Sequence, residues 1–382
     1  MTPSLPRLLL SSPTCDIFCR VVDNYGDIGV AWRLARQLAG EYGAAVRLIV
    51  DDLTSFQKLL PPVDPDLAEQ AVDGVTVIAW RDPLPVSHAA DLVIETFACE
   101  LPDAYLGLMT RRASRPVWIN LEYLSAEAWV AEHHLLPSPH PTLPLSRFFF
   151  FPGFTAGTGG LIREQDLIAR RDASASANDG AELRVLVFGY EHAPVEALLT
   201  AMGQMNKPVS CRVPESGLGT KLQHWRGLQG KKAPGSPPML ESQVLPFAPQ
   251  AEFDALLWHY DVLFVRGEDS FVRAQWAAKP FVWHIYPQSD SVHLVKLNAF
   301  LDIYCEELPA AADTAVRELW RAWNTPSAEA VGPAWAAFFA QLPALNAHAR
   351  RWSQRLSDMP DLSAKLLSFY RKNAKLYGFA ES

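Results

Sequence analysis

The chain has 382 residues, of which 49% are apolar and 20% charged, and a formal net charge of −8. That length accommodates two domains with separate cores, and the composition is globular rather than disordered. The acidic balance argues against general nucleic-acid binding, which calls for a basic face.

Near the start, Leu8-Leu9-Leu10 is too short an apolar run for a signal peptide, and no stretch reaches the ~20 apolar residues of a membrane span. The run Cys15 to Val22 predicts a buried strand and Val30 to Ala39 a helix. Between them lies Asp23-Asn24-Tyr25-Gly26-Asp27-Ile28-Gly29. Its two glycines permit a tight turn and the close approach of a ligand. In an open α/β sheet, ligands bind at the C-terminal ends of strands. A loop shaped like a phosphate cradle but holding the carboxylates Asp23 and Asp27 suggests a general base or a cation site.

Further strand patterns cover Ala45–Val50, Val75–Trp80, Asp91–Phe97 and Pro116–Leu121, with helical or loop segments between them. Strands alternating with helices predict a parallel, doubly wound sheet. Two of these strands deliver more acids to the same rim, Glu95 and Glu100 from one, Glu122 and Glu127 from the other. A helix cap or a solvated loop is the plainer role of each acid taken singly. Asp64-Pro65-Asp66 has the DxD form of metal-dependent glycosyltransferases, but it sits in a Pro-rich loop far from the focal stretch and reads as a turn. His133 to Gly160, rich in proline, histidine and aromatics, reads as an irregular, packed lip over a cleft; His133, His134 and His140 lack metal-ligand spacing.

The small, polar stretch Arg171–Gly180 is the natural domain boundary. Beyond it Leu183–Glu191 reads as a strand and Pro194–Met205 as a helix. Val209–Val213 and Val244–Phe247 read as short strands, Gly227–Pro238 as a mobile loop and Gln250–Leu257 as a helix. Asp261–Val265 predicts a buried strand, Arg266-Gly267-Glu268-Asp269-Ser270 its exit loop, and Phe271–Ala277 the next helix. The free N–H groups at such a helix start attract phosphate, and Arg266 adds a fork of donors. Pro280–Gln288 is a further strand and loop, and the chain beyond Asp302 is mostly helical. The expected organisation is an acid-bearing domain over 1–172, a second α/β domain over 181–345, and a helical segment over 346–382 that packs back on the first domain.

The five cysteines, Cys15, Cys19, Cys99, Cys211 and Cys305, are odd in number and include no CxxC pair. They fit reduced thiols of a cytoplasmic protein better than a disulfide frame or a zinc site. Acids on one rim, facing Arg266, a helix start and aromatic shelves at Phe188, Tyr190 and Phe247, suit a nucleotide-sugar glycosyltransferase. Its two Rossmann-like domains would face each other across a cleft. A nucleotide-sugar epimerase on the same fold and a non-catalytic nucleotide-binding scaffold are the alternatives.

Three long stretches narrow the choice: Cys15 through Val30 followed by Trp32-Arg33-Leu34-Ala35-Arg36, Asn120 through Glu127, and Arg266 through Ala277 with Lys279 through Gln288. They resemble the protein-arginine rhamnosyltransferases that modify bacterial elongation factor P, the EarP family, and the likeness runs nearly end to end. Where members of that family often carry Cys or another small residue before the tryptophan, this chain has Ala31.

The resemblance implies a GT-B fold and inverting transfer of L-rhamnose from dTDP-β-L-rhamnose to one arginine of elongation factor P, with no metal or other cofactor. By motif position it implies Asp27 as general base and Asp23 as its neighbour holding the acceptor. Asn24, Tyr25, Glu122 and Glu127 fall on acceptor contacts. It also implies an essential Glu268, diphosphate contacts from Arg266, Asp269 and Ser270, and a wall for thymine and deoxyribose from Phe188, Tyr190, Phe247 and Gln250. An acid beside a diphosphate repels it, so Glu268 fits better as a partner of sugar hydroxyls or as an orienting group for its loop. No nucleic acid and no membrane is expected among the partners.

Overall fold

The structure, a computed structural model, describes residues 13–22, 25–174, 180–228, 239–288, 292–325 and 327–376. Asp23 and Asn24 lie outside the described residues, as does most of the expected loop Gly227–Pro238.

Two sheets form among the described residues. The first contains β1 (Thr14–Cys19), β2 (Ala45–Val50), β3 (Glu69–Val72), β4 (Val75–Ala79), β5 (Leu92–Thr96), β6 (Val117–Leu121), β7 (Pro137–Pro139) and β8 (Ser146–Phe150). Their order is β3-β4-β2-β1-β5-β6-β8-β7. All its pairings are parallel except those of β3 and β7 at the two edges. β1, β5 and β6 are almost wholly buried, as parallel strands covered on both faces should be. The second sheet contains β9 (Leu183–Val187), β10 (Val209–Pro214), β11 (Leu240–Leu245), β12 (Val262–Arg266) and β13 (Phe281–His284). It is parallel throughout, in the order β11-β10-β9-β12-β13.

One expectation needs revision. The segment read as an irregular lip contributes β7 and β8, which extend the first sheet beyond β6. Pro137 and Pro139 disguise β7, yet an edge strand tolerates proline because one side of it needs no donors.

In each sheet the chain reverses its direction of growth beside the first strand, between β1 and β5 and between β9 and β12. A crevice opens at the strand ends of such a reversal. The exit loops of β1, β5, β9 and β12 are therefore the places where ligands are expected.

The end of the chain ties the two halves together. Helix Leu342–Ser357 lies against the second sheet's helix Asp269–Ala277, where Trp352 Nε1 donates to Gln275 Oε1 at 2.5 Å. The last helix, Leu362–Leu376, returns to the first sheet. Leu362, Leu366 and Leu367 join its core, and Ser363 Oγ donates to Gln37 Oε1 at 2.7 Å. Gly160, with φ +76°, admits this crossing, since a Cβ there would meet Pro360 O at 2.8 Å.

Between the sheets lies a charge cluster. Arg273 holds Asp254 through two bonds of 2.6 and 2.7 Å and Glu164 through one of 2.8 Å. Arg33, from the first domain, reaches Asp269 at 2.7 Å and Glu164 and Asp254 at 3.4 Å each. Arg36 adds a contact of 3.3 Å to Glu164. Burial by itself would raise the Glu164 and Asp254 carboxyls, but the Arg273 and Arg33 charges outweigh it and hold both below the usual carboxylate range. Groups with depressed folded values contribute stability above the ordinary pKa and lose it as pH falls towards the folded value. The melting temperature should therefore stay nearly flat from pH 7 to about 5 and fall steeply below about pH 4. Glu164→Gln, which leaves buried guanidinium charge uncompensated, should cost about 3–5 kcal/mol in chemical denaturation at neutral pH.

Candidate active site

On the first domain, β1 leads into helix Gly26–Gly40. Asp27 stands in its first turn, 3% exposed, and Oδ2 accepts from Val22 N at 2.8 Å. The partial positive charge of a helix start favours its ionised form. Tyr25, just before the helix, lies 5.4 Å from the Phe247 ring of the second domain, so it faces the opposite wall.

After β5 the backbone is strained. Phe97, Ala98 and Glu100 all take left-handed conformations, at φ 56°, 51° and 55°. Non-glycine residues hold such angles where the surroundings over-determine them, and functional sites are where they cluster. Ala98 N donates to Asn120 Oδ1 at 3.1 Å, tying this loop to the end of β6. The Phe97 ring stacks on Tyr123, with centroids 4.4 Å apart. Asn120 Nδ2 donates to Glu122 Oε1 at 2.6 Å, and burial raises the Glu122 carboxyl despite the lowering effect of Arg147. Glu127 accepts from Ser125 Oγ at 3.0 Å. Glu95 is fully buried, held by Arg147 at 2.9 Å and Trp118 at 3.1 Å. It serves the packing of the sheet rather than the open rim.

On the second domain, the Arg266 guanidinium lies over the rings of Phe188 and Tyr190, 4.5 and 4.9 Å from their centroids. Ser270 Oγ accepts from Arg266 N at 3.1 Å and donates to Arg266 O, so this hydroxyl shapes the loop from within. Trp283 Nε1 donates to Gly267 O at 2.9 Å, fixing the turn that Gly267 makes at φ 61°. Tyr190 N donates to His284 Nδ1 at 3.1 Å. Burial first, then the His192 and Arg266 charges, push His284 down to about 3, so it is a neutral acceptor at the back of the wall.

Two contacts of the loop after β12 cross the cleft, and Gln250 beside it adds a third. Glu268 Oε2 accepts from Leu124 N at 3.0 Å. Asp269 accepts from Arg33 Nε through Oδ1 at 2.7 Å and from Gln250 Nε2 through Oδ2 at 2.9 Å. Gln250 Nε2 also donates to Gly29 O at 2.9 Å.

The cleft has two arms. One is lined by Tyr25, Phe188, Tyr190, Phe247, Gln250, Phe253, Arg266, Asp269 and Ser270. The other is lined by Asp27, Phe97, Tyr123, Trp283, Tyr286, Gln288 and Lys296. Gly26, Gly267 and Glu268 belong to both, so the arms meet at the junction of the two exit loops. Of the residues expected from sequence, Glu122 and Glu127 are not among the lining residues of either arm. Phe97, Tyr123, Tyr286, Lys296 and the crossing residue Arg33 were not singled out beforehand. Phe97 was within reach of sequence reasoning, because it directly follows a strand whose end had been flagged for its acids.

Two Rossmann-like sheets facing each other across a ligand cleft, with the end of the chain crossing back, define a GT-B glycosyltransferase. A solved glycosyltransferase of kitacinnamycin, 11% identical, shares this fold with a TM-score of 0.50 over 95% of this chain and all of its own. The family model described as Elongation-Factor P (EF-P) rhamnosyltransferase EarP matches residues 15–371, and the chain belongs to that family. Protein-arginine rhamnosyltransferases of Pseudomonas aeruginosa and Pseudomonas putida are 45% and 47% identical to it. They align over 93% and 94% of this chain and 98% and 99% of their own lengths. A solved structure described as the structural basis for EarP-mediated arginine glycosylation of translation elongation factor EF-P is 36% identical. It covers 94% of this chain and 99% of its own, with a TM-score of 0.64.

The environment of His284 makes a direct prediction. Its imidazole resonances should not titrate between pH 5 and 8 in NMR spectra. A His284 midpoint near the ordinary value of about 6.5 would contradict its place as a neutral acceptor.

Proposed function

We propose that this chain transfers L-rhamnose from dTDP-β-L-rhamnose to an arginine side chain of elongation factor P, with inversion at the anomeric carbon and without a metal ion. The observation that carries the reading is the meeting of the two arms at Gly26, Gly267 and Glu268, with Asp27 on one side and the Arg266 loop on the other.

An arginine guanidinium has a pKa above ~12 and a delocalised lone pair, so it is a poor nucleophile. Asp27 takes one of its N–H protons as the nitrogen bonds to C1 of the sugar. The C1–O bond to the diphosphate breaks at the same time, and the electron pair leaves with the diphosphate. Arg266 and the free N–H groups at the start of helix Asp269–Ala277 meet that charge. In-line attack needs acceptor and leaving group on opposite walls, and the two-armed cleft supports this arrangement.

In the donor arm, Phe188, Tyr190 and Phe247 surround the base and deoxyribose, while Ser270 holds the loop. Gln250 gives both amide hydrogens away, to Gly29 O and Asp269 Oδ2, which leaves Oε1 to face a nucleotide. An acceptor atom suits the N3–H of thymine or uracil and not the bare N3 of cytosine. Because the Asp269 side chain is engaged with Arg33 and Gln250, its share in diphosphate binding falls to its backbone N–H. Glu268, bonded to Leu124 N, orients the junction and stays within reach of sugar hydroxyls.

On the acceptor side, Asp27 and Tyr25 face the guanidinium, and Asp23 and Asn24, outside the described residues, are assigned by motif position to grip it. Glu122 and Glu127, which do not line either arm, lend negative potential at longer range. Exposed apolar side chains at that mouth, Val22, Tyr123 and Tyr286, suit a protein acceptor rather than a small one. No helix among the described residues is long and apolar enough to cross a membrane, and both proposed substrates belong to the cytoplasm, so the protein is proposed to work there.

Incubation with elongation factor P and dTDP-β-L-rhamnose should add one deoxyhexose to the factor in an intact-mass spectrum; an unchanged mass overturns the reading. Asp27→Asn should slow transfer by about 10²- to 10⁴-fold while dTDP affinity, measured by calorimetry, stays within a few-fold. In the same calorimeter, dTDP and UDP should bind at least tenfold more tightly than CDP. Equal affinity for CDP would remove Gln250 from base recognition.

A further inference from the structure

Four residues close a hydrogen-bonded ring across the cleft. Gly29 and Arg33 stand about one turn apart on helix Gly26–Gly40, whose first turn carries Asp27. Gln250 Nε2 reaches Gly29 O and Asp269 Oδ2, each at 2.9 Å. Asp269 Oδ1 then accepts from Arg33 Nε at 2.7 Å, which returns the ring to the helix where it began. Two members therefore belong to the helix of the acceptor wall and two to the donor wall.

Gly29 leaves the ring room to close. A Cβ there would lie 3.1 Å from Gln250 Nε2, so the amide would have to give by a few tenths of an ångström, and it would be in ordinary contact with Asp269 Oδ2 at 3.4 Å. Arg33 is 1% exposed, and its contact to Asp269 is shorter than its 3.4 Å contacts to Glu164 and Asp254. A planar guanidinium donating through Nε fixes direction as well as distance, which an ammonium does not.

We propose that Arg33 is a positioning residue for the transfer reaction: acting through Asp269, and across the gap left by Gly29, it sets the separation between Asp27 and the donor loop. Arg33 lies six residues along the helix from Asp27, about 9 Å at 1.5 Å per residue, and a helix is stiff over that length. A shift at Arg33 is therefore passed to Asp27 nearly undiminished. A displacement of about 1 Å between a base and its reacting atom is enough to cost on the order of 10²-fold in rate. Because Gln250 and Asp269 also line the donor arm, the ring links the donor pocket to the placement of the base on the far wall.

The proposal rests on the transferase reading given above, and its test separates the two. Arg33→Lys keeps the charge but loses the fork, and Gly29→Ala should favour the helix while widening the gap. With elongation factor P and dTDP-β-L-rhamnose both saturating, each variant should lose at least tenfold in kcat. KM for the acceptor should stay within threefold, and the affinity for dTDP should fall by clearly less than kcat. The double variant should be no slower than the worse single one, since both break the same ring. A kcat within threefold of the parent, dTDP affinity falling in step with kcat, or losses that multiply in the double variant would each overturn the proposal.

Circular dichroism and melting establish that each variant is folded, and Gly29→Ala alone decides the matter if Arg33→Lys is not. A readout independent of turnover is the distance between nitroxides at D73C and E196C, exposed positions on the two domains. Gly29→Ala should shift or broaden that distribution, and an unchanged one overturns the proposal. If the parent itself transfers no deoxyhexose, the functional reading fails, while the nitroxide distances still decide whether the ring sets the domain separation.

Discussion

The cluster of guanidinium and carboxylate groups between the two sheets is the constraint on which the remaining geometry depends. Arg33 and Arg36 enter from the first domain, Asp254, Asp269 and Arg273 from the second, and Glu164 from the segment that joins them. Taking such charges out of water is costly, and mutual pairing offsets that cost only when the geometry is good. Three positive groups meet three negative ones, and the bonds between Arg273 and Asp254 are bidentate. Removing Arg273, Asp254 or Glu164 leaves another buried charge short of a partner. The domains are therefore held in a particular relation rather than merely in contact, as a greasy interface alone would hold them.

That relation explains why the cleft has the form it has. Helix Gly26–Gly40 carries Asp27 at its start and Arg33 further along, and helix Asp269–Ala277 begins at the donor loop and contributes Arg273 to the cluster. Pinning the two helices together at the cluster brings their N-termini to opposite sides of one junction. Each N-terminus has a different electrostatic task in the proposed reaction. One stabilises the carboxylate that takes the proton, and the other receives the departing diphosphate. The left-handed residues after β5 and the Trp283 bond to Gly267 O add local rigidity where the arms meet.

Much of this was legible in the chain itself, for reasons that are physical. Parallel strands buried on both faces form unbroken apolar runs, so β1, β5, β6, β9 and β12 stood out, and with them the exit loops where ligands bind. Asp27, Arg266, Phe188 and Tyr190, which line the cleft, were singled out because they sit in or just beyond those loops. β7 and β8 were hidden by prolines and by a run of phenylalanines with no clear period. Arg33 looked like an ordinary helix residue, since nothing local marks a partner 236 positions away. Asp269 and Gln250 were assigned to the donor alone, because a sequence does not reveal that a side chain also bonds across to the opposite domain. Glu268 presented the converse case. An acid beside a diphosphate would repel it, and Glu268 bonds to Leu124 N across the cleft.

In the proposed reaction acceptor and leaving group stand on opposite walls, so that the arginine nitrogen attacks C1 from the face away from the diphosphate. The stereochemistry of the product tests this most directly. NMR of the glycosylated factor, reading the one-bond C1–H1 coupling of the attached sugar, should report an α-linked rhamnose formed from the β-linked donor. A β-linked product would mean that attack came from the side of the leaving group, or through an intermediate held by the protein, and the account of the two walls would be wrong.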